Sequence, residues 1–308
     1  MIDAVNAGAA LVCLGLALGL AGGLELRFRD SGDGAAVVAT GSVEDATGTA
    51  VPVARYARVA SGTTLGDQIL DAILEPERLV AVTGESLRSS ETPWRHAGRE
   101  TIEDLADLET LIALAPEVLV VSNVAEARRV ARLREAGLRV FDIGSASGVD
   151  AVVATAADLG RLVGAPERGE QLGARFRERM NAIADADGPR PGGVYVGAWG
   201  NQLFGGAAGT SYHDVLTAAG LRDVAADAGH RGWPRYDTEQ LLGMDPDWLV
   251  VPAGTAGDLC EREAFAPLRA CRSGQVAAID DRLLGDPGLG MLPAAEALHR
   301  RVFGVSSD

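Results

Sequence analysis

The chain has 308 residues, 47% of them hydrophobic, and a formal net charge of −15 at pH 7. This length and apolar content predict a folded protein large enough for two domains, and the acidic charge argues against nucleic acid or an anionic membrane surface as a partner. All 28 basic side chains are arginine, because the sequence has no lysine, and this excludes Schiff-base chemistry, pyridoxal phosphate attachment and the lysine of a Walker loop.

The N-terminal segment is apolar from Ala7 to Leu24 and becomes polar at Glu25. Its position and length predict that residues 1–24 are an export segment, either a signal peptide that is removed or an uncleaved anchor in the inner membrane. A buried helix of the folded domain is the alternative. The polar, Gly-rich residues 25–41 are predicted to be a tether, with the folded part in the periplasm or elsewhere outside the cytoplasm.

Residues 42–147 alternate short strands with helices, which is typical of a lobe built on a parallel sheet. The predicted elements are two short strands within residues 42–53, a strand over 58–60, a helix over 65–74, a strand over 78–83, a helix over 125–136 and a strand over 139–143. Ser and Thr hydroxyls at 61–64 are available to cap the first of these helices.

A pattern of fifteen residues occurs twice in the chain. Residues 107–121 and 237–251 share seven identical positions. In each copy an Asp can cap a short helix with Glu at its second position, a Pro ends the helix, and a fully apolar strand follows. Because this unit occurs once in each half, the sequence predicts two similar α/β lobes with a cleft between them.

Residues 148–188 separate the halves and contain no strand candidate. Gly164, Ala165 and Pro166 divide this stretch, so a second helix is predicted over 167–184, and such a helix is a stiff connector. Residues 189–308 form the C-terminal lobe, with a strand over 193–196, a helix over 213–219, the second repeat copy, a strand over 275–279 and a helix over 293–303.

Two cysteines, Cys260 and Cys271, close a loop of 12 residues in the C-terminal lobe. In an exported protein such a pair forms a disulfide, whereas in a reducing compartment it stays as two buried thiols. The residues alone leave both states open.

An ordered series of motifs resembles a known family. Residues 43–53, residues 57–61, the first repeat copy and the linking helix resemble the type III substrate-binding proteins of bacterial ABC importers, which include the vitamin B12, ferric siderophore and haem-binding proteins. The resemblance implies an α/β fold with two Rossmann-like lobes, parallel sheets and a single long connecting helix. It also implies a monomer without a cofactor of its own, which holds its ligand between the lobes and delivers it to permease subunits.

The resemblance gives the repeat helices a second role. In the family, one Glu at the start of such a helix in each lobe docks against Arg residues of the permease, and the matching positions are Glu109 and Glu239. Two carboxylates on separate rigid lobes can form charge-assisted bonds that set orientation. A favourable interaction with the helix dipole explains either Glu singly but not their paired placement.

Candidate ligand-binding residues lie in loops that follow strands, where open α/β sheets bind ligands. They are Ser61, Thr63, the loop Gly84–Arg88, Trp94, Arg95, His96, Trp199, Arg231, Trp233, Tyr236 and Asp286. Trp233 matches a position where B12-binding members of the family place a tryptophan in the cleft. Aromatic faces suit a flat, conjugated or chelated ligand, whose anionic groups Arg95 or Arg231 can meet, although any one Trp can instead cover a core edge.

Other functions compete with chelate binding. His96, His213 and His230 with Asp286 suggest a site for a bare divalent ion such as zinc or manganese, although no two of these histidines share a helical spacing. The run Gly205–Thr210 has the glycines of a phosphate loop but lacks its lysine, which favours a turn. An enzyme is disfavoured because the chain has no G-x-S-x-G or H-E-x-x-H motif. The sequence therefore predicts a binding protein that captures a ferric siderophore, corrinoid or haem for an ABC permease.

Overall fold

A computed structural model describes residues 41–89, 96, 98–122, 127–145, 147–184, 188–200, 202–255, 258–280 and 288–304. The predicted export segment, almost all of the predicted tether, and Trp94, Arg95 and Asp286 lie outside these residues. Within the described ranges, no helix has both the length and the apolar character needed to cross a bilayer.

The N-terminal half folds into a five-stranded parallel sheet, preceded by a short hairpin. The strands and helices are β1 (Ser42–Glu44), β2 (Ala50–Pro52), β3 (Val59–Ser61), α1 (Thr64–Ile73), β4 (Leu79–Thr83), α2 (Gly84–Ser89), β5 (Glu100–Ile102), α3 (Leu108–Ala113), β6 (Val118–Val121), α4 (Ala127–Glu135) and β7 (Val140–Asp142). The sheet order is β5-β4-β3-β6-β7. Alternate residues of β6 join two separate core clusters, because successive side chains of a strand point to opposite faces.

Two helices, α5 (Val149–Leu162) and α6 (Pro166–Asn181), connect the lobes. They pack with their backbones in contact, since a Cβ on Gly169 would lie only 2.2 Å from the carbonyl oxygen of Ala156. The buried face of α6, which includes Leu172 and Phe176, belongs to a core cluster with members from both lobes. The connector is therefore packed into the protein rather than exposed as a tether.

Hydrogen bonds also tie α6 to both lobes. Arg168 Nη1 donates to the carbonyl oxygen of Ile73 at 3.1 Å in the N-terminal lobe. At the other end of the helix, Arg179 Nη2 donates to Glu296 Oε1 at 2.8 Å in the C-terminal lobe. This arrangement supports the sequence prediction of a stiff connecting helix.

The C-terminal half contains a four-stranded parallel sheet and a small antiparallel sheet. Its elements are β8 (Gly192–Tyr195), β9 (Gly197–Trp199), β10 (Gln202–Phe204), α7 (Ser211–Ala218), β11 (Arg222–Asp223), α8 (Val224–Asp227), β12 (Arg235–Tyr236), α9 (Thr238–Met244), β13 (Trp248–Pro252), α10 (Asp258–Glu261), α11 (Arg269–Ser273), β14 (Val276–Ile279) and α12 (Met291–Phe303). The parallel order is β11-β8-β13-β14, and the antiparallel order is β12-β10-β9.

Both repeat copies form the predicted helix and strand. Asp107 accepts a hydrogen bond from the backbone N–H of Thr110 at 3.1 Å, and Asp237 accepts one from that of Gln240 at 2.8 Å. In each sheet the repeat strand, β6 or β13, lies between the first and the last strand of its lobe in chain order. The prediction of two α/β lobes with parallel sheets is confirmed.

The repeat also ends in the same unusual backbone conformation. Ala115 and Asp245 have φ of 44° and 36°, and they are the non-glycine residues with positive φ in the described part of the chain. Each immediately precedes a proline, Pro116 or Pro246, whose ring disfavours a right-handed helical conformation in the residue before it. A left-handed residue therefore ends each helix and turns the chain into the strand.

Several short elements differ from the sequence prediction. The structure forms α2 where a ligand loop was predicted, and it adds β5 at the sheet edge, where only Ile102 of the three strand residues is buried. The antiparallel sheet was also missed, because its strands have two or three residues each and lie among glycines. Hydroxyl capping of α1 was wrong, since Thr63 occupies the cap position without a side-chain hydrogen bond to the helix.

Candidate ligand-binding surface

Backbone hydrogen bonds join two loops of the C-terminal lobe and place Trp233 between them. The loop that follows β10 donates from Gly205 N to the carbonyl oxygen of Pro234 at 2.8 Å. It also donates from Ala207 N to the carbonyl oxygen of Gly232 at 2.9 Å. Trp233 is thus flanked on both sides by residues whose backbone is paired, although its own side chain projects from the surface.

Three aromatic rings lie against one another at the carboxyl end of β8. Tyr195, the last residue of β8, stacks on Tyr212 of α7 with ring centroids 3.8 Å apart and an interplanar angle of 8°. Trp233 meets Tyr212 at 5.3 Å and 88°. Tyr195 is 3% exposed whereas Trp233 is 57% exposed, so this aromatic stack runs from the core to solvent.

Glycines make room for the rings of this surface. A Cβ on Gly206 would lie 2.5 Å from Cδ2 of Tyr212, and a Cβ on Gly205 would lie 2.2 Å from the hydroxyl of Tyr236. Real Cβ atoms do not approach other atoms so closely, so both positions require glycine. The glycine run that resembled a phosphate loop therefore seats two aromatic rings. Sequence analysis missed Tyr195 and Tyr212, although their positions after a strand and after a helix cap could have suggested them.

Tyr236 lies beneath this surface rather than on it. The residue is 6% exposed, and its hydroxyl oxygen is buried with no hydrogen-bond partner among the described residues. Burial raises the pKa of Tyr236 well above its usual value, and the negative charge of Asp223 adds to the rise. His230 contacts the Tyr236 ring edge-on at 5.6 Å. In this structure Tyr236 supports the loops instead of meeting a ligand through its hydroxyl.

A buried ion pair lies below the aromatic stack. His213 Nδ1 is 2.8 Å from Asp223 Oδ2, and the Asp223 side chain is only 1% exposed. Asp223 also accepts from the backbone N–H groups of Ala225 and Ala226, which caps α8. The hydrogen bond from Asp223 raises the pKa of His213, so the imidazole donates to the carboxylate and fixes the start of α7 against β11.

The histidines proposed for a bare metal ion are already engaged in separate lobes. Arg99 Nη1 donates to His96 Nδ1 at 2.8 Å and also pairs with Asp71 at 2.8 Å. His213 and His230 lie in the C-terminal lobe with the partners described above. Among the residues that the structure describes, no group of three or more His, Cys, Asp or Glu side chains is arranged to hold a metal.

The first candidate loop of the N-terminal lobe is organised by internal hydrogen bonds. Ser61 is fully buried, and its hydroxyl donates to the carbonyl oxygen of Thr63 at 3.0 Å. Asp67 of α1 is also fully buried, and its Oδ2 accepts from the backbone N–H and hydroxyl of Thr83 and from the hydroxyl of Ser86. Ser61 therefore supports the loop, while Thr63 is half-buried at its rim.

Two remaining candidates lie near the aromatic stack. Arg231 is exposed and forms an isolated parallel bridge with Ala208 through the backbone. Trp199 ends β9, where it pairs in register with Gln202 of β10. Arg231, Trp199 and Trp233 are therefore brought into one part of the C-terminal lobe, as expected of a shared ligand surface.

The two predicted docking carboxylates occupy equivalent positions. Glu109 and Glu239 are each the second residue of a repeat helix, and both are exposed. The Asp residues that cap these helices are used locally, whereas neither Glu takes part in an ion pair within the described part of the chain. Ile112, one turn beyond Glu109, is 52% exposed on the same helix.

Cys260 and Cys271 are joined in a disulfide, with their Cα atoms 5.3 Å apart. The bond links α10 to α11, and both cysteines pack against the core cluster of the C-terminal lobe. Of the two states that the sequence left open, the structure contains the oxidised one.

Two helix starts from different lobes cap each other. Asp214 Oδ2 of α7 accepts from the backbone N–H of Val149, the first residue of α5, at 2.6 Å. Ser147 Oγ in turn accepts from the backbone N–H of Ser211, the first residue of α7, at 3.2 Å. These two bonds satisfy N–H groups that would otherwise lack partners, and they tie the C-terminal lobe to the connector.

The fold and this surface together define a two-lobed α/β ligand-binding protein. Residues 59–299 match the periplasmic binding protein family, and the chain belongs to that family. The chain is 28% identical over 226 residues to a cobalamin-binding protein of Halobacterium salinarum, and the match covers 62% of this chain and 58% of that protein. The chain thus spans less than two thirds of the length of that relative.

Two further comparisons agree with this assignment. The chain is 20% identical over 214 residues to an uncharacterized ABC transporter substrate-binding lipoprotein of Bacillus subtilis, with 66% of this chain and 68% of that protein covered. A periplasmic haem-binding protein from Pseudomonas aeruginosa shares the fold, with a TM-score of 0.66 and 24% identity over 82% of this chain and 94% of that one. The relatives are binding proteins, and this chain is likewise an extracytoplasmic binding protein rather than an enzyme.

Proposed function

We propose that this protein captures a metal chelate, a corrinoid or haem-like molecule, between its lobes and delivers it to an ABC permease. The observation that carries the proposal is the exposed Trp233, supported from below by two stacked tyrosines at the carboxyl end of a parallel sheet. That end of an open α/β sheet is where ligands bind, and a large aromatic face suits a flat or chelated ligand. Relatives named for cobalamin and haem binding agree with this ligand class.

Arg231 extends the proposed surface with a positive charge. Its exposed side chain lies two residues before Trp233 in a chain whose net charge is −15. An arginine fork can form charge-assisted bonds with carboxylates, phosphates or polarised amides on the ligand periphery. A ligand gripped by Trp233 on an apolar face and by Arg231 at its edge would be held in one orientation.

Handover requires that the permease recognise both lobes in a fixed relation. Glu109 and Glu239 supply one exposed carboxylate on each lobe, and the packed connector with its hydrogen bonds to both lobes supports a fixed spacing between them. Basic groups on two permease subunits can then pair with the two carboxylates. ATP hydrolysis takes place in a separate subunit of the transporter.

The ligand proposal is tested by titrating the purified protein with cyanocobalamin, hemin and ferrichrome, using tryptophan quenching and isothermal titration calorimetry together. We expect saturable binding of at least one of the three, weakened by Trp233→Ala. Trp248→Phe is the matched control, because Trp248 is 9% exposed within β13 and its loss should leave affinity unchanged. Absence of heat for all three probes, with binding of zinc or manganese instead, would reject the chelate proposal.

Docking is tested by charge reversal in the cells that make the protein. Uptake of the bound probe should be lost in the Glu109→Arg, Glu239→Arg double variant, whereas the affinity of the purified variant should equal that of the wild type. Glu178→Arg is the control, since Glu178 is an exposed carboxylate on the connecting helix α6. Undiminished uptake by the double variant would show that these carboxylates do not dock.

A further inference from the structure

We propose that Tyr212 is a positioning residue, which fixes the orientation of the Trp233 indole for the ligand without touching the ligand itself. The inference rests on the proposed function and adds a requirement to it. An exposed tryptophan on a loop is a good ligand contact only if its ring is held in place, because ordering it at the moment of binding costs conformational entropy.

Trp233 is not held by burial. Its side chain is 57% exposed, and the aromatic contact that it makes in the structure is the perpendicular one with Tyr212 at 5.3 Å. Edge-to-face pairs at this distance are attractive because the positive edge of one ring meets the negative face of the other. Tyr212 therefore favours one orientation of the indole among those that the loop allows.

Tyr212 can do this because its own ring is fixed. It stacks on Tyr195 at 3.8 Å with nearly parallel planes, and Tyr195 is 3% exposed at the end of a central strand. Gly206 lies against the same residue, with room for no side chain, since a Cβ there would be 2.5 Å from Tyr212 Cδ2 and 2.9 Å from its Cβ. The position of the sheet is thus transmitted through two tyrosines to the exposed indole.

The geometry also defines what the ligand meets. A perpendicular contact occupies at most one face of the indole, which agrees with the high exposure of Trp233. The other face is free to stack on a flat conjugated or methyl-rich surface, as a corrinoid or a porphyrin presents. Tyr212 then sets the tilt of the bound ligand, although it lies behind Trp233.

The test is a double-mutant cycle with cyanocobalamin as the probe. Tyr212→Leu should weaken binding by about 3- to 10-fold, the equivalent of one aromatic pair, whereas Tyr212→Phe should keep wild-type affinity because it retains the ring. In a Trp233→Ala background, Tyr212→Leu should cause no further loss, because a residue that acts only through Trp233 has nothing left to position. Additive losses would overturn the proposal.

A second readout needs no ligand. Trp233→Phe identifies the near-ultraviolet circular dichroism that depends on the Trp233 indole in its fixed surroundings, and Tyr212→Leu should remove that same signal while Tyr212→Phe keeps it. Thermal midpoints should show that all variants are folded. If the wild type binds no cyanocobalamin but the dichroism cycle behaves as expected, the corrinoid proposal fails and the positioning role stands. If cyanocobalamin binds while the dichroism persists in Tyr212→Leu, the positioning role fails.

Discussion

A buried carboxyl in the N-terminal lobe gives the protein an unusual pH dependence. Asp67 is fully buried in α1, and its Oδ2 accepts from Thr83 N at 3.0 Å, from the Thr83 hydroxyl at 2.5 Å and from the Ser86 hydroxyl at 2.6 Å. Its Oδ1 is buried without a hydrogen-bond partner among the described residues. Burial raises the pKa of Asp67 from 3.8 to about 6, because these donors offset only part of the desolvation cost.

The sign of the effect follows from the two pKa values. Between about pH 4 and pH 6 the folded protein keeps the Asp67 proton that the unfolded chain has already lost. Asp67 therefore contributes stability below about pH 4 that is lost as the pH rises through 6. Since one pKa unit corresponds to about 1.4 kcal/mol, the charged form lowers the free energy of unfolding by about 3 kcal/mol at neutral pH.

Asp67→Asn isolates this contribution, because asparagine can accept from the same donors and does not titrate. The unfolding free energies of both proteins are measured by urea denaturation from pH 4.5 to pH 8. We expect the variant to gain on the wild type as the pH rises, by about 2 to 3 kcal/mol, and the difference to level off above pH 7. Carboxyls with lowered pKa give the opposite trend but cancel in the difference; they are Asp45, Glu75, Asp107 and Asp247. A difference that stays constant, or shrinks as the pH rises, would refute the reasoning.

Three further outcomes are expected in urea denaturation at pH 7. Gly169→Ala should destabilise by about 1 to 3 kcal/mol, since its Cβ would meet backbone at 2.2 Å, whereas Gly243→Ala, with open space in α9, should be neutral or stabilising by up to about 1 kcal/mol. Arg78→Met should cost about 3 kcal/mol, because the buried guanidinium donates to two backbone carbonyls that would lose their partner, and a cost below about 1 kcal/mol would contradict this. The double change Cys260→Ala, Cys271→Ala should cost about 2 to 3 kcal/mol, and reduction with dithiothreitol should reproduce it in the wild type only.

The frame of the fold could be predicted because each of its parts is encoded locally. An Asp cap, a Glu in the first turn, an apolar spacing and a proline specify each repeat helix within fifteen residues, and a run of four apolar residues specifies strand β6. Even the left-handed residues Ala115 and Asp245 follow from the proline after each of them. The connecting helix was equally local, since Pro166 marks its first residue.

The ligand surface could be predicted only in part, because its geometry depends on contacts between distant residues. Trp233 and Arg231 were found from their place before the second repeat, but nothing near them in sequence indicates that Tyr195 and Tyr212 would stack beneath. The role of the glycines at 205 and 206 was equally hidden, since the rings that they accommodate come from other segments. Asp67 was missed because an acidic residue early in a helix is ordinarily exposed.

A comparison of the two lobes locates where ligand specificity arises. Both lobes begin with a central parallel strand, β3 or β8, and both carry the same repeat helix and strand. In the N-terminal lobe only Gly62 and Thr63 separate β3 from α1, whereas in the C-terminal lobe β9, β10 and a glycine loop stand between β8 and α7. This insertion leaves the sheet in which Tyr195 lies, pairs with the Trp233 loop and seats Tyr212. The repeated elements therefore fix the frame and its two docking carboxylates, while the insertion alone can change the ligand surface without disturbing that frame.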